Sequence, residues 1–204
     1  MVYEPSDDTF LMLDTIDQEA STIAQCQPSV VVEIGSGSGC LIVGLAQALV
    51  RHADRITPCR PNFFASDISA AANAATAQTA SANGIIVEVM QMHLLDAMRP
   101  GTIDVLLFNP PYVPTSADEA ERGQSTHDIS ATWAGGPRGR LVLDRLLPRL
   151  GHLLSPRGRF YLLGVRENDP SDVCVVLQSM GFSCRIVMER RAQNERLFVL
   201  EATR

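Results

Sequence analysis

Val30-Val31-Val32-Glu33-Ile34-Gly35-Ser36-Gly37-Ser38-Gly39 runs from a β-branched stretch into alternating glycines, and an apolar helical stretch, Cys40 to Val50, follows at once. Four branched residues around one carboxylate suit a central parallel strand, because both faces of such a strand are covered. Glycines let the backbone turn tightly and approach a ligand, and the first N–H groups of the next helix point at it. Strand, glycine turn and helix in that order predict an α/β fold with a nucleotide-like cofactor seated on the turn. Glu33 narrows the choice. A carboxylate at the strand end repels a pyrophosphate and attracts a cation, such as the amino group or sulfonium of S-adenosylmethionine. The stretch also lacks the GxxxxGK[ST] pattern of a phosphate loop, which disfavours phosphoryl transfer.

The second informative stretch is Phe108-Asn109-Pro110-Pro111-Tyr112, which closes the apolar run Ile103 to Phe108. Neither proline has an N–H to donate, so the strand cannot continue and its last carbonyls turn outward. Asn109 adds a side-chain carbonyl, and Tyr112 adds a flat wall with a polar tip. The result is an acceptor-rich slot suited to a planar NH2 group, such as a carboxamide or the exocyclic amine of a base. A Pro-Pro turn after an ordinary strand is the plainer alternative.

Around these two stretches the chain reads as repeated βα units. Ser6, Asp7 and Asp8 suit a helix start, and Phe10, Leu13, Ile16, Ala20, Ile23 and Ala24 recur at helical spacing as far as Gln27. An irregular stretch, Arg51 to Pro61, precedes a short strand at Phe63 to Ala65 that ends in Ser66-Asp67. An acidic residue there is placed to accept the ribose hydroxyls of an adenosine; it can also cap the helix Ser69 to Ala82. Ile85 to Met92 alternates as a third strand, and Asp96, in the loop Leu94 to Ala97, is either an adenine contact or a surface turn residue. Val113 to Gly139 shows no periodicity and holds the single tryptophan, Trp133, which serves either substrate-side packing or the core. A helix over Arg140 to Leu150, a turn at Ser155 to Gly158, a strand over Arg159 to Leu163 and a helix capped by Asn168 follow. Ser183 to Glu189 and Arg196 to Glu201 then form an antiparallel hairpin turning at Ala192 to Asn194.

Composition removes several classes of function. The 204 residues predict a single domain, 1–204, and 46% hydrophobic residues are enough for a full core. No apolar run approaches the ~18 residues of a membrane span, and the acidic start carries no secretory signal, so the expected compartment is the cytoplasm, with the nucleus second. Five widely spaced cysteines without a CxxC argue against a disulfide frame or a zinc site and predict reduced thiols. His52, His93, His127 and His152 have no ligand spacing with them, so no metal is expected in this chain. A net charge of −6 argues against stable nucleic-acid binding.

Taken together the chain resembles the class I S-adenosylmethionine-dependent methyltransferases, and more closely the HemK-like glutamine methyltransferases of the eukaryotic and archaeal branch. The resemblance is carried by Tyr3-Glu4-Pro5 with Asp8-Thr9-Phe10, by Glu33 to Gly39, by Asn109-Pro110-Pro111-Tyr112, by Trp133-Ala134-Gly135-Gly136 and by Leu154 to Gly158. Bacterial members carry a further helical domain in front, whereas here one leading helix occupies 1–28. The resemblance implies a Rossmann-like fold with a seven-stranded, mostly parallel sheet and an antiparallel last strand. It implies S-adenosyl-L-methionine as cofactor, lined by Thr9, Glu33, Gly35, Gly37, Asp67, Asp96, Ala97 and Asn109. It implies that Asn109, Pro110, Pro111 and Tyr112 hold the glutamine of a Gly-Gly-Gln loop in the class 1 translation release factor, with 113–139 as a substrate-side loop. It also implies a small zinc-binding activator subunit, expected along the edge strand Ile85 to Met92. Competing readings are an adenine methyltransferase acting on nucleic acid, a lysine methyltransferase, and a non-catalytic adaptor.

Overall fold

Alternation of side chains along the strands builds two cores. Val31, Val105, Leu107, Tyr161 and Leu163 face one layer, while Val32, Leu106, Phe108, Phe160 and Leu162 face the other. In the computed structural model, which describes residues 2, 4–52, 60–126, 132–193 and 195–204, seven strands form one sheet in the order β3-β2-β1-β4-β5-β7-β6. They are β1 (Val30–Ile34), β2 (Asn62–Asp67), β3 (Glu88–Gln91), β4 (Ile103–Phe108), β5 (Leu154–Val165), β6 (Ser183–Ala192) and β7 (Glu195–Thr203). Pairing is parallel from β3 across to β5, and β7 runs antiparallel to both β5 and β6. The predicted fold class is therefore the observed one. Tyr3, Cys59, His127, Asn194 and most of the proline-containing stretch before β2 lie outside the described residues.

The helices α1 (Asp7–Gln25), α2 (Cys40–Arg51) and α3 (Ala70–Ala82) follow the predicted spans closely. On α1 the buried face is Leu11, Met12, Ile16, Ala20, Ile23 and Ala24, so the predicted stripe holds from Ile16 onward, while in the first turns Leu11 and Met12 take the buried places and Phe10 stays half exposed. Leu41, Ile42, Leu45 and Leu49 of α2 pack into the same layer, each fully buried side chain contributing about 1.5–3 kcal/mol. The second layer is built from α5 (Leu141–Leu146), α6 (Leu150–Leu153) and α7 (Pro170–Ser179), while α4 (Ala117–Thr126) lies in the segment predicted to be loop.

Five local expectations need correction. The single helix predicted over Arg140 to Leu150 is divided into α5 and α6 by a 3-10 turn at Leu147–Arg149, because Pro148 has no N–H to continue the ladder. The third strand is only Glu88 to Gln91. Ile85 is taken up by the end of α3, its N–H donating to the Ala80 carbonyl, and Ile85 and Val87 fold onto the core while Ile86 is left 84% exposed. The turn predicted at Ser155 to Gly158 is a register jump inside β5. Asn168 does not cap α7: Asp169 does, accepting from the Asp172 N–H at 3.2 Å. Finally, Cys174 on α7 and Cys184 on β6 form a disulfide rather than two thiols, since the turn between them brings their Cα atoms to 5.6 Å.

Candidate active site

At the carboxyl ends of β1, β2 and β4, where strand order reverses, a cavity of about 520 Å³ opens. This is the crevice in which open α/β sheets bind ligands. Its walls bring together Thr9, Glu33, Gly35, Gly37, Asp67, Asn109, Pro111 and Tyr112. Among the described residues the walls carry five carboxylates, Asp7, Asp8, Glu33, Asp67 and Glu195, and no arginine. Such a cavity favours cationic groups and repels phosphates.

The β1 end supplies the deepest charge. Glu33 is 2% exposed and accepts the Ile42 N–H at 2.9 Å, so it ties the strand to the start of α2. Burial lifts its carboxyl well above the usual carboxylate range; the Ile42 N–H partly offsets that rise, and the Asp67 charge adds to it. A cation placed against Glu33 would draw it into the ionised form. Asp67, at the end of β2, accepts from the Gly37 N–H at 3.1 Å and the Ser69 N–H at 2.8 Å. It therefore closes the glycine turn against the start of α3, whose cap is Ser69.

The β4 end supplies the acceptor slot. Asn109 donates from Nδ2 to Asp8 Oδ2 at 3.0 Å, and the Tyr112 hydroxyl lies 3.4 Å from the same oxygen. Asn109 Oδ1 is shielded from solvent and has no hydrogen-bond partner among the described residues. An orphaned buried acceptor costs about 1–3 kcal/mol unless a ligand satisfies it. Pro110 is buried and stands outside the lining, whereas Pro111 and Tyr112 belong to it.

A second layer holds this slot from behind. Asn168, 3% exposed, donates from Nδ2 to the carbonyls of Tyr112 and Arg138, each at 2.8 Å, and accepts the Val165 N–H at 2.7 Å. The Trp133 to Gly136 segment pairs with Val113 to Thr115 through Val113 N–H to the Trp133 carbonyl and Gly135 N–H to the Val113 carbonyl. A Cβ at Gly135 would stand 2.5 Å from the Pro111 carbonyl, and one at Gly139 would stand 1.8 Å from that of Tyr112. Close backbone approach thus explains these glycines. Trp133 itself lines the cavity.

Asp96 and Ala97 are not brought into the cavity. The Asp96 carboxylate turns outward to Arg149 Nη1 at 2.7 Å, and His93 and Leu94 occupy the wall instead. Sequence reading missed Asp8, Asn168 and Glu195. Asp8 reads as a helix-start charge and Asn168 as a cap, and Glu195 falls between the predicted turn at Ala192 to Asn194 and the strand from Arg196. Burial raises the Glu195 carboxyl above its usual range, with the Glu167 and Asp8 charges adding to the rise. The motif Asp8-Thr9-Phe10 was the one available signal for Asp8.

Comparison with known proteins follows the same lines. The family model described as the methyltransferase small domain matches residues 7–131. The chain is 36% identical to Methyltransferase HEMK2 of Homo sapiens, over 100% of this chain and 90% of that protein. It is 35% identical to the eRF1 methyltransferase catalytic subunit mtq2 of Schizosaccharomyces pombe, over 100% of this chain and 89% of the relative. Among solved structures, the E. cuniculi Mtq2–Trm112 complex, described as responsible for the methylation of the eRF1 translation termination factor, superposes with a TM-score of 0.71. That likeness, at 23% identity and covering 100% of this chain and 98% of the other, is one of fold.

Proposed function

The chain belongs to the methyltransferase small-domain family and, within it, to the HemK-like methyltransferases, and on that premise we propose that it methylates the glutamine of a Gly-Gly-Gln loop in the class 1 translation termination factor. Its cofactor is S-adenosylmethionine, which supplies an electrophilic methyl group on a sulfonium. Glu33 suits the cationic amino-acid end of that molecule and Asp67 its ribose. The observation that carries the substrate reading is the Asn109 Oδ1 atom, a buried acceptor without a partner beside a carboxylate-walled cavity. It matches one hydrogen of a carboxamide NH2; the resemblance gives the other to the carbonyl of Pro110, a residue that adjoins the lining through Asn109 and Pro111.

An amide nitrogen is a poor nucleophile because its lone pair is delocalised. Asn109, Pro110, Pro111 and Tyr112 therefore act by aim. They hold the NH2 so that the nitrogen lone pair faces the methyl, and positioning of this kind supplies up to ~7–11 kcal/mol. Transfer would form the nitrogen–carbon bond as the methyl–sulfur bond breaks, the electron pair leaving on the neutral thioether S-adenosylhomocysteine, and one amide proton would pass to solvent afterwards, so no strong base is needed before attack. The five wall carboxylates disfavour a nucleic acid, whose phosphates they would repel.

A small activator subunit belongs to this reading, and its zinc is part of the proposal. β3 lies at the sheet edge, and Ile86 projects into solvent beside it. An unpaired edge with an apolar neighbour is a template for a second chain. The cytoplasm, where termination takes place, is the proposed compartment.

Transfer of label from S-adenosylmethionine tests the whole reading, using protein co-expressed with the activator. The acceptors are a termination factor carrying Gly-Gly-Gln, the same factor with that glutamine replaced by alanine, and adenine-containing DNA. Label on the first alone is the expected outcome, and label on DNA would transfer the assignment to nucleic acid.

A further inference from the structure

Asp8 is the most heavily engaged group of the acceptor slot, and its chemistry decides which way the Asn109 amide faces. The carboxylate is 3% exposed. Its Oδ1 accepts the Thr9 N–H at 2.6 Å and the Ser6 hydroxyl at 2.8 Å, which anchors it to the first turn of α1. Its Oδ2 points across to Asn109, 101 residues away in the chain. A carboxylate can only accept, so the amide end beside it must be the NH2. The other end, Oδ1, is then the end left without a partner.

We propose that Asp8 is a positioning residue for the transfer: it locks the Asn109 carboxamide with its oxygen toward the substrate and polarises that oxygen into a stronger acceptor. The two ends of a carboxamide are nearly the same size, so shape alone does not fix its rotation. Without the carboxylate the amide can turn by 180° and offer its own NH2 to the substrate's NH2, two donors facing each other. A charge-assisted bond at the far end also draws electron density toward Asn109 Oδ1. The leading helix therefore sets the polarity of the acceptor slot. This rests on the glutamine reading above and adds to it the residue that makes Asn109 an acceptor.

The test uses the enzyme co-expressed with its activator, with the Gly-Gly-Gln factor as substrate, and follows kcat, KM and cofactor affinity separately. Asp8→Asn is expected to lower kcat by about tenfold or more, the scale of a misplaced reacting group, with cofactor affinity within about twofold of native. The exchange variant Asp8→Asn with Asn109→Asp is the decisive arm. There a carboxylate at position 109 presents oxygen in either rotation, and the amide introduced at position 8 can donate to it, so kcat is expected to recover at least about tenfold over Asp8→Asn alone. A purely structural Asp8 predicts the opposite, because the second change strikes a slot residue and can only lower turnover further. Absence of that recovery, kcat within twofold of native in Asp8→Asn, or joint loss of turnover and cofactor binding would each overturn the assignment. An inactive native enzyme would instead count against the glutamine reading itself.

Discussion

The side-chain amide of Asn168 donates to the main-chain carbonyl of Tyr112 at 2.8 Å, across 56 residues of sequence, and with the same nitrogen reaches the Arg138 carbonyl. One buried amide thus fastens the end of the acceptor slot to the loop that follows it. Asn168→Ala would leave those carbonyls and the Val165 N–H without this partner, at a cost of about 1–3 kcal/mol for each buried group left unsatisfied. Denaturant unfolding should register the loss, and turnover should fall more than cofactor affinity, since Glu33 and Asp67 stand elsewhere. Equal falls in both would deny the selective link to Tyr112.

Asn109→Ala removes the orphaned acceptor without touching the glycine turn. Most turnover should disappear while calorimetry still registers the cofactor. Cofactor loss as the principal defect would refute the acceptor role.

Gly139→Ala sets a methyl group where the Tyr112 carbonyl already lies, at a backbone φ of 67°. Left-handed geometry alone costs an alanine about 1–2 kcal/mol, and the displaced carbonyl adds to it. The melting temperature should drop, and KM for the protein substrate should rise because Tyr112 moves. A native-like KM would show that the loop tolerates the displacement.

Glu33 gives the enzyme a pH signature. Its carboxyl is held above the ordinary range, so the folded chain keeps that proton more tightly than the unfolded one. Cofactor-free stability should therefore fall as pH rises from the ordinary carboxylate value toward the raised one. A bound cation favours the ionised form, so affinity should climb with pH over the same window as binding releases a proton. Glu33→Gln should flatten both curves and weaken binding by about tenfold or more, the worth of a hydrogen bond to a charged group. Affinity independent of pH in the native protein would rule out Glu33 as the cation's partner.

Ile86→Arg tests the proposed docking edge. The side chain is 84% exposed, so the isolated chain should keep its stability within about 0.5 kcal/mol. Co-purification with the activator should be lost. Retention of the partner at native yield would move the interface elsewhere.

What the sequence disclosed were features set by neighbours in the chain. β1 and its glycine turn, β4 and its prolines, and α2 are readable because period and breaker lie within a dozen residues of each other. That Glu33, Asp67 and Asn109 meet at one cavity was legible for the same reason, each standing at a strand end. Asp8, Asn168 and Gly139 were not, because their meaning depends on Asn109, Tyr112 and the Tyr112 carbonyl, which folding brings from far away. Asp96 stands outside the cavity on similar grounds. Its local loop suits a ligand contact, but Arg149, 53 residues on, claims the carboxylate.

The position of β7 between β5 and β6 has a consequence for how the protein is made. Of the seven strands it is synthesised last, yet it pairs along both neighbours, Arg159 to Val165 on one side and Ser183 to Ala192 on the other. Until it emerges, a nascent chain carries two half-finished edges that can accept any stray strand. Glu195, which begins β7, also belongs to the cavity wall. Pairing of β5 with β6 through β7 and completion of the cavity wall at Glu195 are therefore one event in biosynthesis, and a product shortened before Glu195 would lack both.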